Sequence, residues 1–265
     1  MTSTTDPEYT PTYTLDNAWR AARERLTLLE AACDPITEQH LDKVGIRPGW
    51  RCLEVGAGAG SVVRMLCDRV GAEGRVLAVD LEPALLADLS APNLEVRRLD
   101  VVADELPEAA FDLVHTRAVL MHIPQRDDVL PKLVRALRPG GTLLLEEVDM
   151  RCAFEPDDIF RRSLDAMYRP ILEANAGMDL FWAGTLPDLL GPAGLVDVQS
   201  TRNRMTFTGG SVLAEFFRVT WLQYLESQPY TDAERAILEE CRAALLEPGG
   251  SYTAWDVVAA WARRP

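Results

Sequence analysis

Cysteine is scarce and scattered in this chain. The five residues, Cys33, Cys52, Cys67, Cys152 and Cys241, form no C-x-x-C pair. That excludes a zinc ribbon and a disulfide framework, and it suits a reducing, cytoplasmic setting. Histidine is rarer still, and His40, His115 and His122 lack metal-ligand spacing with the cysteines, so no metal is expected. No apolar run approaches the ~20 residues that span a membrane. The first residues, MTSTTDPEYTPTYT, lack the apolar stretch of a signal peptide. Basic residues are outnumbered, 27 against 41 acidic ones, for a net charge of -14. A phosphate-backbone partner calls for the opposite balance, so neither nucleic acid nor membrane is expected as a partner.

Strand and helix signals alternate through the middle of the chain. Strands are expected at 51–55, 75–80, 94–100, 111–116 and 142–148, apolar on nearly every residue. Helices are expected between them at 61–70, 83–89, 118–122 and 127–137. Strands of that kind belong to a parallel sheet covered on both faces. Before them, residues 15–33 have helical periodicity, and Asp34-Pro35 is expected to stop that helix and start a second one ending near Gly45. After them come helices near 156–175 and 182–190, a strand at 195–208, helices at 211–226 and 232–247, and a last strand at 252–263. The fold class is therefore α/β, a doubly wound and mostly parallel seven-stranded sheet. It has an N-terminal helical cap (1–45), a core (46–150) and a substrate-side segment (151–265) that inserts helices between the last two strands. Ligands of such sheets bind at the carboxyl ends of the strands.

One such end carries Leu53-Glu54-Val55-Gly56-Ala57-Gly58-Ala59-Gly60-Ser61, and the next apolar run ends in Asp80. A strand, a glycine turn, a helix and a later acid together bind the ribose end of an adenosine cofactor. The dinucleotide fingerprint is G-x-G-x-x-G, and here the third glycine falls one residue early. A pyrophosphate needs the backbone close to the helix amides. A cofactor without phosphates needs only the turn. Glu54, just before it, suits a cationic group better than a pyrophosphate.

LEVGAGAG (53–60), LAVDLEP with Asp80, RRLDVV with Asp100, FDLVHTRAVLMHIP (111–124) and LRPGGTLLLEEVD (137–149) occur in one order. With them the chain resembles the class I S-adenosylmethionine-dependent methyltransferases, and the wording of its core looks like that of actinobacterial small-molecule enzymes. The resemblance implies a Rossmann-like methyltransferase fold and S-adenosylmethionine as cofactor. It implies that Gly56 and Gly58 pass the methionine arm and that Asp80 takes both ribose hydroxyls. Asp100 would face the adenine amino group, the Val101 amide the ring, and the Thr116 carbonyl the methionine ammonium. Glu54, Ala57, Leu81 and Arg117 complete the implied cofactor shell.

Methyl transfer needs in-line alignment above all, with a general base if the nucleophile is a hydroxyl. His115, His122 and Glu147 are the candidate bases. Tyr13, Trp19, Tyr168, Trp182 and Trp221 are candidates for a substrate wall, which suggests a small apolar or aromatic acceptor methylated at oxygen, nitrogen or carbon. The chain is expected to act as a monomer or homodimer. Two alternatives stand beside this one: a non-methylating enzyme that binds the same cofactor, and an NAD-dependent oxidoreductase.

Overall fold

A computed structural model describes Leu15, residues 17–174 and residues 177–265. Seven strands form one sheet: β1 (Arg51–Val55), β2 (Arg75–Asp80), β3 (Leu94–Arg98), β4 (Phe111–Arg117), β5 (Leu137–Asp149), β6 (Val196–Thr208) and β7 (Ser251–Arg263). Their order is β3-β2-β1-β4-β5-β7-β6. The first five run parallel, and β7 is antiparallel to both neighbours. The order reverses between β1 and β4, so a crevice opens there at the strands' carboxyl ends.

The α-helices are α1 (Ala22–Val44), α2 (Ser61–Val70), α3 (Arg126–Ala136), α4 (Ile159–Ala174), α5 (Leu186–Leu190), α6 (Val212–Ser227) and α7 (Asp232–Ala244). Leu41 of α1 and Val63 and Leu66 of α2 pack on one face of the sheet, around Cys52, Leu113 and Leu144. Leu133 of α3 and Leu186 of α5 pack on the other, around Val114, Leu143 and Leu145. Helices α4, α6 and α7 form a third cluster with the ends of β6 and β7, so the inserted helices cover one end of the sheet.

Some elements differ from expectation. The helix expected to stop at Asp34-Pro35 runs unbroken from Ala22 to Val44 with Pro35 inside it. A mid-helix proline removes one backbone hydrogen bond. Here side chains anchor the helix on both sides of the proline. Asp34 accepts from the Ser61 hydroxyl (2.8 Å), and the Thr37 hydroxyl donates to Glu146 (2.8 Å). The expected helix at 83–89 is a single 3-10 turn, Pro83–Leu86, and that at 118–122 shrinks to Leu120–His122. The 182–190 segment divides into a 3-10 turn at Trp182–Thr185 followed by α5.

All five cysteines are buried and unpaired. Burial pushes the thiols of Cys33, Cys67, Cys152 and Cys241 up to about 11, and that of Cys52 higher still. Thiolate is the reactive form. A disulfide exchange reagent at pH 8 is therefore expected to find no rapidly reacting thiol in the native chain and five after denaturation. Rapid native reaction at one cysteine would show that its cover opens.

Candidate functional site

The glycine turn is held by β2. The amides of Gly56 and Ala57 donate to the Val79 carbonyl at 2.8 and 3.2 Å. Gly56 and Gly58 have φ of +71° and +55°, a left-handed backbone that costs other residues energy. Their surroundings differ. A Cβ on Gly56 would fall 2.3 Å from Val119 Cγ2, so Gly56 is fixed by packing against the segment after β4. A Cβ on Gly58 would meet nothing within 4 Å. The open side of the turn, where a ligand can pass, is therefore at Gly58.

Asp80 ends β2 beside that opening. One carboxylate oxygen accepts from the Gly58 amide (3.0 Å) and the other from the Glu82 amide (2.9 Å). Each oxygen keeps a second lone pair, enough for two hydroxyls. Asp100 is half-buried and shapes the turn after β3. Its carboxylate accepts from the Val102 amide (2.9 Å), while its own amide donates to Asp104. Val101 is buried next to it, and Leu81 is half-buried with its carbonyl on Arg98.

Helix α2 begins beyond the turn, and its N-terminus is already occupied. The Ser61 amide donates 3.0 Å to the carboxylate of Glu30 on α1. A helix N-terminus is the natural seat of a phosphate. Here the protein supplies its own carboxyl group to the Ser61 amide, although burial raises the pKa of Glu30, and that amide is not open to a pyrophosphate. The finding sharpens the argument from glycine spacing. Its signal in the sequence is the spacing of Glu30, Asp34, Thr37 and His40, one polar stripe along a helix.

The other cofactor candidates are placed as follows. Ala57 and Thr116 are buried. Arg117 ties α1 to α2, reaching Asp34 (2.8 Å), Thr37 (3.0 Å) and Ser61 (3.0 Å). Glu54 is buried and bonded to His115, with Oε2 2.6 Å from Nδ1. Ala118, the first residue after β4, has φ +53° and donates its amide to the Glu146 carbonyl. The chain thus turns sharply at the crevice.

The candidate bases are engaged elsewhere. His115 is fully buried, with Nδ1 on Glu54 and Nε2 2.9 Å from Glu146. Burial opposes its charge, but the two carboxylates overrule burial and push it up to about 9. Glu146 also takes Thr37 and His40 Nδ1, and His40 Nε2 meets Thr201 on β6 at 2.7 Å. Burial works against ionised Glu146, yet hydrogen bonds from His115 and His40 hold it well below the usual carboxylate range. This line of side chains crosses the sheet under α1, and His115 has no ring nitrogen left for a substrate. Glu147 points to the opposite face, as strand alternation requires. It accepts from the amides of Val119 (3.0 Å), Leu120 (2.8 Å) and Met121 (3.3 Å), capping the turn that carries His122. Both of its oxygens are used for this.

Burial pushes Glu147 up to about 7 despite those amides, and burial with the charges of Arg25 and Arg126 pushes His122 down to about 4. The two shifts act oppositely on stability. Glu147 contributes stability that is full below about pH 4.5 and lost as pH rises through about 7. His122 contributes stability that is full above about 6.5 and lost as pH falls through about 4. Thermal melts should therefore show Glu147→Gln gaining stability between pH 4.5 and 6.5, and His122→Gln losing it over the same range. Parallel slopes in both variants would refute these assignments.

The aromatic candidates are mostly packed away. Trp221 is 1% exposed, in ring contact with Phe160 and Phe217. Trp182 is buried on the α5 side under Arg126. Tyr168 is half-buried among the helices, and Trp19 donates to Glu226 at 2.8 Å. Tyr13 lies outside the described residues. The rings of Trp182 and Trp221, expected in a substrate wall, are both buried, Trp221 among the rings of Phe160 and Phe217 and Trp182 among aliphatic side chains such as Leu186 and Leu190. Composition could not separate core rings from lining rings. Among the described residues, no group of three or more metal-ligating side chains is placed to hold an ion. No helix among them is long and apolar enough to cross a membrane.

Residues 53–145 match the model of a methyltransferase domain. The chain is 35% identical over 131 residues to methyltransferase str2 of Strobilurus tenacellus, covering 48% of this chain and 46% of that protein. The chain therefore spans about half the length of that relative. It is 26% identical over 211 residues to trans-aconitate 2-methyltransferase of Variovorax paradoxus, covering 77% and 80%. Among solved structures it is similar to phosphoethanolamine N-methyltransferase 2 of Haemonchus contortus, in complex with phosphomonomethylethanolamine and S-adenosylhomocysteine. The TM-score there is 0.61 at 16% identity, over 94% of this chain and 59% of that one.

Proposed function

We propose that this chain, a class I S-adenosylmethionine-dependent methyltransferase by its fold and its methyltransferase domain, binds S-adenosylmethionine at the glycine turn and methylates a small molecule. The observation that carries this reading is the ring of acids around the turn. Asp80 faces the opening at Gly58, Glu30 occupies the α2 N-terminus, and Glu54 lies behind. Ribose hydroxyls fit Asp80 at the opening, and the Glu30 carboxyl on the Ser61 amide stands where a pyrophosphate would need that amide. The same set argues against an NAD-dependent oxidoreductase.

Bound there, the cofactor supplies a methyl group on a positively charged sulfur. The residues hold and orient. Asp80 takes the ribose, Asp100 with Val101 sits at the adenine end, and Gly58 leaves room for the methionine arm. Ala118 and Val119 form the floor, Val119 held by the Glu147 carboxyl and Ala118 by the Glu146 carbonyl. With His115 and Glu147 committed and His122 pushed down to about 4, none of these three candidates is placed as a strong base. That supports an acceptor atom that is already nucleophilic.

The test is incubation of the full chain with methyl-labelled S-adenosylmethionine and a panel of small aromatic and aliphatic acids, amines and phenols, read by mass spectrometry. Label in an acceptor is the expected result. Binding of the cofactor with no label leaving it would favour the non-methylating alternative.

A further inference from the structure

Arg25 lies in the first turns of α1 and is 1% exposed. A buried guanidinium is ordinarily paired with a carboxylate, because an uncompensated buried charge is costly. Among the described residues no carboxylate lies within 4.0 Å of it. Its one hydrogen bond is a long one, 3.4 Å, from Nη2 to the amide oxygen of Asn17. Its buried Nε has no partner. The other polar residues on this side of α1 are all engaged. His40 and Thr37 meet Glu146, Asp34 meets Ser61 and Arg117, and Glu30 meets the Ser61 amide. Those partners run toward the carboxyl edge of the sheet. Arg25 is five residues beyond Glu30, roughly 7.5 Å further along the helix. The helix thus carries it past the contact of Glu30 with the start of α2, on the side of the turn that holds His122. His122, on the turn after β4, feels the charge of Arg25 there, and that of Arg126. Arg126 is spoken for by the Leu120 and Gly177 carbonyls. Arg25 is not.

We propose that Arg25 is the seat of a carboxylate on the methyl acceptor, so that the substrate is a small organic acid. This rests on the reading of the strand ends as a methyltransferase site. The chemistry is a bidentate guanidinium–carboxylate pair in a dry place, which gives both orientation and selectivity. The cofactor's methionine tail also carries a carboxylate. Position favours the acceptor, because the helix carries Arg25 past the contact of Glu30 with the start of α2, on the His122 side of the turn.

Arg25→Met keeps the volume and removes the charge. If the guanidinium awaits an anion, the ligand-free variant melts higher than the wild type. If Arg25 were a structural brace, the variant would melt lower, and the proposal would fall. Arg25→Lys keeps the charge and controls for misfolding. Benzoate and benzamide are then titrated calorimetrically into each protein, with and without saturating S-adenosylhomocysteine. The expected result is at least tenfold tighter binding of benzoate by the wild type, abolished in Arg25→Met and partly kept in Arg25→Lys, with S-adenosylhomocysteine affinity unchanged within twofold. Equal binding of acid and amide by the wild type would overturn the proposal. So would a tenfold loss of S-adenosylhomocysteine affinity in Arg25→Met with 5′-methylthioadenosine affinity unchanged, which assigns Arg25 to the cofactor's own carboxylate. Failure of the wild type to bind S-adenosylhomocysteine would sink the methyltransferase reading, while the benzoate titration without cofactor still reports on Arg25.

Discussion

Glu146→Ala is expected to destabilise the chain by about 3–5 kcal/mol, the usual cost of breaking a buried charged network by removing one partner. Glu146 is fully buried and receives Thr37, His40 and His115. Its removal strands three polar groups from two helical turns and one strand. It also leaves the charge of His115 facing Glu54 alone. Domains of this size hold about 5–15 kcal/mol in all, so the loss is visible as a drop in melting temperature of roughly 10 °C. The same network sets a pH signature. His115 has a folded pKa of about 9 against an ordinary 6.5, so its contribution is full below about pH 6.5 and lost as pH rises through about 9. Melting temperature should fall across that window in the wild type and stay nearly flat in His115→Gln. A Glu146→Ala chain that melts with the wild type would show that the network carries little stability.

Gly58→Ala is expected to abolish cofactor binding while sparing the fold. The alanine Cβ meets nothing within 4 Å, so the cost is the left-handed backbone alone, about 1 kcal/mol. The new methyl nonetheless stands on the open side of the turn, where the proposed binding mode puts the methionine arm. A loss of at least a hundredfold in S-adenosylhomocysteine affinity is expected. Gly56→Ala fails differently. Its Cβ would press into Val119 at 2.3 Å, on the segment that Glu147 caps. That variant should lose stability first, by about 2 kcal/mol or more, and binding as a consequence. Calorimetry beside thermal melts separates the two. Equal behaviour of the two variants in both measurements would mean the turn has one function rather than two.

The strands, the glycine turn and Asp80 were legible in the sequence because each is written locally. Residues 75–80 are apolar until the acid that ends them, and the turn announces itself by glycine. Helix α1 was not legible through Pro35, because what carries it past the proline is Ser61 and Glu146, far away in sequence. For the same reason the partners of His115 were hidden. Glu54 stands opposite His115 in the parallel register of β1 and β4, and Glu146 two residues along β5 from its register partner Leu144. Such pairings exist only after distant strands align. Helix α1 itself read as a cap, yet Glu30 on it reaches the Ser61 amide at the start of α2. The burial of the aromatic residues was hidden for another physical reason: Trp221 and Trp182 are as apolar as any binding wall, and only packing tells which way a ring faces.

The central claim is that the turn between β1 and α2, with Asp80, holds an adenosine cofactor lacking phosphates. Calorimetric titration of S-adenosylhomocysteine into the full chain and into Asp80→Ala tests it most directly. Saturable binding at one site per chain is expected. In the variant, weakening by ten- to a hundredfold or more is expected, since hydrogen bonds to a charged group contribute about 1.5–3 kcal/mol each. A folded wild type that takes up no S-adenosylhomocysteine, or an Asp80→Ala chain that binds it equally well, would contradict that claim.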